Sequence, residues 1–232
     1  SLGVPVYQLL GGPVRNNVPI YTHVQDARQG FTIEQMVTMA KETKQQSHQA
    51  IKTDPFLSMV NETGPFRSAS LVEKLTPKAI NYAVEWVGAL RSEVGWDFEI
   101  MVDAHARFDV ASSIAAAREL ESMKLIWFEE PVPPESYDAL KEFRENSNVS
   151  ISVGESLFTR YDFVPVLQDR LADFVMPDIA WTGGISELRR IASLAESYYV
   201  PFTPHDALGP IAIAATFQVC MATPNLYRQE CI

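Results

Sequence analysis

Cysteines and long apolar runs are scarce in this sequence. Its 232 residues include only two cysteines, Cys220 and Cys231, and their spacing fits neither a zinc-ligand motif nor a framework of several disulfides. We therefore expect both to be buried thiols in a reducing compartment. No apolar run approaches the ~18–20 residues of a membrane span, and no basic segment followed by an apolar one begins the chain. We expect no membrane partner, no signal peptide and a cytoplasmic location.

Positive charge is also in short supply. Lys and Arg together number 19 against 29 Asp and Glu, which gives a formal net charge of −10. Nucleic acids and anionic membranes are bound by clustered Lys and Arg, so we expect neither as a partner. The surplus of carboxylates instead suits a site built around a divalent cation. The remaining composition, 47% hydrophobic and 21% charged, is typical of a globular protein, and the length predicts one large domain or at most two small ones.

Short apolar segments alternate with amphipathic stretches along the whole chain. The predicted strands are 18–23, 50–53, 98–102, 125–128, 150–153, 173–176, 200–203 and 226–229. The predicted helices are 32–46, 78–94, 110–123, 137–144, 161–170, 185–197 and 211–221. Continuous apolar strands separated by helices indicate a parallel sheet that is buried on both faces. Eight such strands favour the α/β class and a (β/α)8 TIM-type barrel, because no Gly-x-Gly-x-x-Gly follows a strand as an open dinucleotide-binding sheet would require.

Ionisable side chains stand at the carboxyl ends of seven of these strands, from the second to the eighth. In a barrel this end carries the active site. The residues are Lys52, Asp54, Asp103, His105, Glu129, Glu130, Glu155, Asp178, His205, Asp206 and Glu230. Steps of 26 residues separate Asp103 from Glu129 and Glu129 from Glu155. This is about one strand and one helix, so we expect these side chains to share one rim.

Three carboxylates on neighbouring strands, Asp103, Glu129 and Glu155, would repel one another unless a cation neutralised them. Ligation by oxygen atoms alone, with positions left for water and substrate, suits Mg²⁺. Taken singly, a carboxylate after a strand is more often a helix cap or a solvated loop residue. The occurrence of all three in register, with His105 and His205 on flanking strands, favours a shared function.

Five short motifs resemble the enolase superfamily, in its mandelate racemase/muconate lactonizing enzyme family. They are Val102-Asp-Ala-His105, Trp127-Phe-Glu-Glu-Pro131, Val153-Gly-Glu155, Met176-Pro-Asp178 with Gly183-Gly184, and Pro204-His205. Three further segments, 158–163, 208–214 and 229–230, resemble the acid-sugar dehydratases of that family, such as galactonate dehydratase. The resemblance spans essentially the whole chain, and the order of its motifs is specific.

The resemblance implies a role for each of these residues. The three carboxylates Asp103, Glu129 and Glu155 match the Mg²⁺ ligands. His205 matches a general base with Asp178 as its partner, and His105 matches the general acid of the dehydratases. Glu230 matches a carboxyl group beside the substrate carboxylate. Together with Glu230, three further residues are assigned to substrate binding: Lys52, Asp54 and Arg107.

One departure from the family pattern favours one reaction over another. Racemases of the family carry Lys-x-Lys on the second strand, whereas this chain has Lys52-Thr53-Asp54. An ionised Asp cannot replace a lysine as the base for the opposite face of the substrate. We therefore predict an Mg²⁺-dependent aldonate or aldarate dehydratase that removes the proton α to a carboxylate and eliminates the 3-hydroxyl, giving a 2-keto-3-deoxy acid. Lys52 would neutralise the substrate carboxylate or pair with Asp54.

Two alternatives stay open at this point. The first is a racemase, epimerase or cycloisomerase of the same family, and the second is a non-enzymatic barrel that binds sugar acids. The resemblance also implies a domain organisation, with residues 1–17 as the connector from an N-terminal capping domain and residues 18–232 as the barrel. On this interpretation the capping domain and the last barrel helix lie outside the sequence, and we expect a homo-oligomer.

Overall fold

The structure is a computed structural model, and it describes residues 2–24, 32–56 and 74–232. The chain divides into two compact units. The first, here called the terminal unit, comprises Ser1–Tyr21 and Ser152–Ile232, and the second, the central unit, comprises Thr22–Ile151. None of the helices in the described ranges is long and apolar enough to cross a membrane.

Strands and helices alternate along the chain. The strands are β1 Ile20–His23, β2 Ala50–Thr53, β3 Glu99–Asp103, β4 Phe128–Glu129, β5 Ile151–Val153, β6 Phe174–Val175 and β7 Gln229–Glu230. The helices are α1 Val6–Leu9, α2 Ile33–Gln45, α3 Pro77–Val94, α4 Val110–Leu120, α5 Tyr137–Asn146, α6 Arg160–Gln168, α7 Ile185–Ser197 and α8 Pro210–Met221. A short 3₁₀ turn, Glu121–Met123, follows α4.

Side-chain caps explain where several helices begin. The Thr76 hydroxyl accepts the Ala79 N–H at the start of α3, and Asp109 accepts the Ser112 N–H at the start of α4. Each cap satisfies a backbone donor that the first turn of a helix leaves without a partner. Pro77 is the first residue of α3, where its missing N–H costs nothing.

Parallel pairing in the central unit determines which strand-end residues lie side by side. Two residues of β1 pair with β2, β2 pairs with β3, and β3 pairs with β4. The register places Thr53 opposite Val102 and Asp103 opposite Glu129. All four residues of β2 are buried, as expected of a strand with both faces covered. Asp103 and Glu129 therefore end their strands side by side.

The terminal unit has the same parallel arrangement. Its part of β5 pairs with β6, and β7 pairs with Ile20 and Tyr21 of β1. Single parallel bridges join Val175 to Phe202, Phe202 to Leu226, and Asp178 to His205. A buried cluster fills this unit: Ile179, Leu188, Ala192, Phe202, Val219, Cys220 and Leu226. The bridge between Asp178 and His205 places these two predicted site residues side by side.

The predicted order of elements is confirmed, with a few local differences. Residues 200–203 form one bridge at Phe202 instead of a full strand, because the flanking Pro201 and Pro204 have no N–H to donate. The described residues thus hold seven strands where eight were predicted. Helix α1 lies within the predicted connector and was not expected. Cys220 is buried and Cys231 only partly so, which corrects the prediction that both are buried.

Candidate active site

Asp103 and Glu129 form a buried pair of carboxylates in the central unit. They end β3 and β4, and one oxygen of each lies within 4.8 Å of the other. Lys52 forms an ion pair with Glu129 Oε1, and its Nζ lies 3.4 Å from Asp103 Oδ2. Trp127 Nε1 donates to Glu129 Oε2 at 2.8 Å. Sequence reasoning gave Trp127 no role, although its place two residues before Glu129 puts both side chains on one face of the strand.

The electrostatics of this pair favour the ionised form of Asp103. Burial raises its pKa, but the positive charges of His105 and Lys52 outweigh that effect, and the pKa is lowered. Asp103 Oδ2 is buried and lies 3.4 Å from Lys52 Nζ and 3.2 Å from His105 Nε2, but it accepts no well-aligned hydrogen bond from the described residues. Ionised oxygen donors in this arrangement suit a hard divalent cation.

A second group in the central unit joins Asp54, His105 and Arg107. Asp54 Oδ2 lies 2.5 Å from Arg107 Nη2 and 2.9 Å from His105 Nδ1. Burial raises the pKa of Asp54, but Arg107 and His105 lower it further, so the carboxyl is ionised at neutral pH. The sequence left open whether Lys52 pairs with Asp54. The structure pairs Lys52 with Glu129 and Asp103, and it pairs Asp54 with Arg107 and His105.

The backbone after β3 has an unusual conformation that positions His105. His105 and Ala106 have φ values of 50° and 52°, in the left-handed region that side chains disfavour. Hydrogen bonds hold this shape, since the His105 N–H donates to Asp103 Oδ1 at 2.8 Å and the Ala106 N–H donates to the Glu130 carbonyl at 2.8 Å. The turn therefore directs the His105 ring back to its own strand, where Nε2 lies 3.2 Å from Asp103 Oδ2.

His205 is the centre of the predicted site residues in the terminal unit. Its Nδ1 lies 2.7 Å from Asp178 Oδ2. Its Nε2 lies 3.4 Å from Glu155 Oε2 and 3.8 Å from Glu230 Oε2. Asp178 is fully buried, and its Oδ1 accepts the Ala180 N–H at 2.7 Å. A buried carboxylate at Nδ1 fixes the ring and assigns proton transfer to Nε2.

Comparison with known proteins agrees with these motifs. The family described as enolase C-terminal domain-like matches residues 35–232. The chain belongs to this family. It is 33% identical over 245 residues to a D-galactonate dehydratase family member from Streptomyces bingchenggensis, and 31% identical over 231 residues to a D-gluconate dehydratase from Thermoproteus tenax. Each of these two alignments covers 99% of this chain.

Solved structures agree with the family assignment. A mandelate racemase/muconate lactonizing enzyme-like protein from Rubrobacter xylanophilus matches 98% of this chain with a TM-score of 0.87 and 38% identity. This confirms the predicted α/β barrel class and the resemblance from which it was drawn. The chain spans 60% of that structure, 59% of the Streptomyces protein and 44% of the Thermoproteus protein.

Gly154 positions one of the family's acidic motifs, because it directly precedes Glu155 and has a φ of 137°. A Cβ at Gly154 would lie 2.7 Å from Phe163 Cε1 and 3.1 Å from Met176 N. We expect Gly154→Ala to lower the free energy of unfolding by about 2–4 kcal/mol, as measured by urea denaturation. Gly183→Ala is the matched control, since Gly183 has a φ of 90° but no atom within 4 Å of its Cβ position. Equal losses in the two variants would contradict the role of the Phe163 contact.

Asp206 is a buried residue to which sequence reasoning gave no role, although it stands beside His205 at a strand end. Its N–H donates to Glu230 Oε2 at 2.8 Å. Burial raises the pKa of Asp206 to about 6, and repulsion from Asp178 and Glu230 adds to that effect. The feature of the sequence that could have indicated a role for Asp206 is its position directly after the predicted base, His205.

The raised pKa of Asp206 predicts a pH dependence of stability. The folded protein keeps this proton up to about pH 6, whereas the unfolded chain loses it near pH 4. Stability from this group is therefore present below pH 4 and is lost as the pH rises to 6. The free energy of unfolding of the wild type should therefore fall by about 2–3 kcal/mol from this group between pH 4 and pH 7. We expect Asp206→Asn to lack this fall, as measured by urea denaturation at both pH values. Parallel pH profiles for the variant and the wild type would contradict the assignment.

Proposed function

We propose that this protein is an Mg²⁺-dependent acid-sugar dehydratase that converts an aldonate or aldarate to a 2-keto-3-deoxy acid. The observation that carries the proposal is a pair of histidines, each held at Nδ1 by a buried aspartate. Asp178 holds His205 at 2.7 Å, and Asp54 holds His105 at 2.9 Å. Dehydration needs one group that removes the α-proton and another that protonates the departing hydroxyl. The names of similar proteins, D-galactonate, D-gluconate and D-xylonate dehydratase, support the same class.

Asp103, Glu129 and Glu155 are the residues that would hold the cation. Their donors are all carboxylate oxygens, which fits Mg²⁺. Asp103 Oδ2 and Glu155 Oε2 are buried and accept no hydrogen bond from the described residues. When bound, the cation stabilises the negative charge that develops on the substrate carboxylate.

His205 removes the α-proton in this proposal. Its Nε2 accepts the proton, while Asp178 keeps the Nδ1–H oriented and stabilises the imidazolium that forms. Glu230 is fully buried and lies 3.8 Å from Nε2. In its protonated form Glu230 would donate a hydrogen bond to the substrate carboxylate as charge builds up there.

His105 completes the reaction by donating a proton from Nε2 to the 3-hydroxyl as the C3–O bond breaks. Without this proton hydroxide would be the leaving group, and general-acid assistance is typically worth ~10²–10⁴-fold in rate. The acid and the base belong to different strand ends, β3 and the Phe202–His205 segment. Each histidine therefore has one task.

The proposal is tested by a panel of aldonic and aldaric acids, with 2-keto products detected as semicarbazones. We expect Mg²⁺-dependent product from at least one acid, and loss of that activity with EDTA. A panel that gives no keto product would contradict the proposal. Exchange of the C2 proton with solvent, without loss of water from any acid, would indicate a racemase or epimerase instead.

A further inference from the structure

One carboxylate oxygen of Asp54 joins two basic side chains in the central unit. Asp54 Oδ2 lies 2.5 Å from Arg107 Nη2 and 2.9 Å from His105 Nδ1. Its other oxygen, Oδ1, accepts the Phe56 N–H at 3.0 Å. Arg107 is itself fixed, because its Nε donates to the Ala104 carbonyl at 3.1 Å. Asp54 is therefore a fixed acceptor at one ring nitrogen of His105.

The same arrangement occurs at His205 in the terminal unit. Asp178 presents Oδ2 to His205 Nδ1 at 2.7 Å, and its Oδ1 accepts the N–H of Ala180, two residues further along. Asp54 likewise uses Oδ1 to accept the N–H of the residue two positions further along. Two histidines of this protein are thus held by aspartates that are themselves fixed in the same way.

Solvent reaches the His105 ring, so its polar contacts contribute to its position. Its side chain is 38% exposed, and its backbone lies in the disfavoured left-handed region. The His205 side chain, by contrast, is 14% exposed. Asp54 contacts the His105 imidazole at Nδ1 and Asp103 Oδ2 lies 3.2 Å from Nε2, so both ring nitrogens have a carboxylate beside them. General-acid catalysis depends on the position of the donor.

We propose that Asp54 is a positioning residue for the general acid His105, and that Arg107 holds Asp54 in place. This inference rests on the proposed dehydration, and it gives Asp54 and Arg107 a role other than direct substrate binding. Asp54 accepts the Nδ1–H, and the transferable proton is the one on Nε2, which lies 3.2 Å from Asp103 Oδ2. The Nε2–H bond breaks as that proton joins the 3-hydroxyl oxygen, which keeps the C3–O electron pair and leaves as water.

The test compares Asp54→Asn, His105→Asn and the double variant in the purified protein with Mg²⁺. The substrate is an aldonate or aldarate that the wild type dehydrates, together with its 3-deoxy-3-fluoro analogue. Dehydration is measured as keto product, and enolisation as exchange of the C2 proton in D₂O. Asp138→Asn is the matched control, because Asp138 is an exposed residue on α5.

We expect Asp54→Asn to lower kcat for dehydration ~10–10²-fold with little change in KM, and His105→Asn to lower it ~10²–10⁴-fold. The double variant should be no slower than His105→Asn, since both changes remove the same function. All three variants should retain C2 exchange and should process the fluoro analogue, because fluoride leaves without a proton. Retained exchange also shows that each variant is folded and binds substrate.

Several results would overturn the inference. A raised KM with unchanged kcat for Asp54→Asn, on substrate and analogue alike, would make Asp54 a substrate ligand. Additive losses in the double variant, or loss of activity on the fluoro analogue, would show that Asp54 acts apart from His105. A wild type that dehydrates no acid, or a fully active His105→Asn variant, overturns the proposed function together with this inference. An active wild type in which only His105→Asn loses dehydration overturns the inference alone.

Discussion

Replacement of His205 by asparagine is expected to lower both C2 proton exchange and dehydration by about 10²–10⁴-fold. The reason is that His205 Nε2 is the proposed base and Asp178 its partner at 2.7 Å. The proposed cation ligands are unchanged in this variant, so Mg²⁺ affinity by calorimetry should stay close to that of the wild type. The 3-fluoro analogue should not restore activity, because its elimination also begins with loss of the α-proton.

Two results would count against His205 as the base. Exchange of the C2 proton at the wild-type rate in His205→Asn would show that another group, such as Lys52, removes it. Loss of Mg²⁺ binding in the same variant would show that His205 supports the cation site and not the proton transfer. His48→Asn is a suitable control, since His48 lies between α2 and β2 and outside the groups that carry the predicted roles.

Replacement of Glu155 by glutamine is expected to abolish activity because it weakens the binding of Mg²⁺. It removes one of the three negative charges of the proposed cation site, and a hard cation is bound mainly through such charges. Changes in residues around metal ligands already cost ~10–100-fold in affinity, so we expect Mg²⁺ affinity to fall by at least ~100-fold. Activity at 1–2 equivalents of Mg²⁺ over protein should be at background and should rise only in part at high concentration.

Isothermal calorimetry with Mg²⁺ measures this effect directly. Glu142→Gln provides the control, because Glu142 is an exposed glutamate on α5 whose removal changes the net charge by the same amount. Circular dichroism on both variants checks that the fold is kept. Near-normal Mg²⁺ affinity in Glu155→Gln would contradict the assignment of this residue as a ligand.

Much of the fold could be predicted from the sequence because the spacing of its apolar residues agrees with the positions of its helix-capping residues. Predicted helix 185–197 matches α7 residue for residue, and Gly184 stands as its N-cap. Predicted helix 32–46 extends one residue beyond α2 at each end, and Thr32 caps it. The weakest prediction was the strand around Phe202. Its apolar pattern was correct, but neighbouring prolines limit it to a bridge, and this depends on which backbone groups face the next strand.

In the site, sequence spacing predicts which side chains share a face of a strand. Which side chains then contact each other depends on the pairing register between strands. Lys52 and Asp54 are two residues apart, so the alternation of a strand puts both on one face, and the sequence could not tell whether they pair. The register places Asp103 beside Glu129, and the Lys52 ammonium reaches these two carboxylates. The contact between Asp54 and His105 also depends on the left-handed turn after β3, which no sequence pattern indicates.

The proposed reaction removes an α-proton and then expels the β-hydroxyl of an acid sugar. The most direct measurement is ¹H NMR of an aldonate that reacts with the protein and Mg²⁺ in D₂O. We expect a 2-keto-3-deoxy acid with deuterium at C3 and none of the starting acid epimerised at C2. A C2-deuterated or epimerised acid that keeps its 3-hydroxyl, with no keto acid formed, would contradict dehydration.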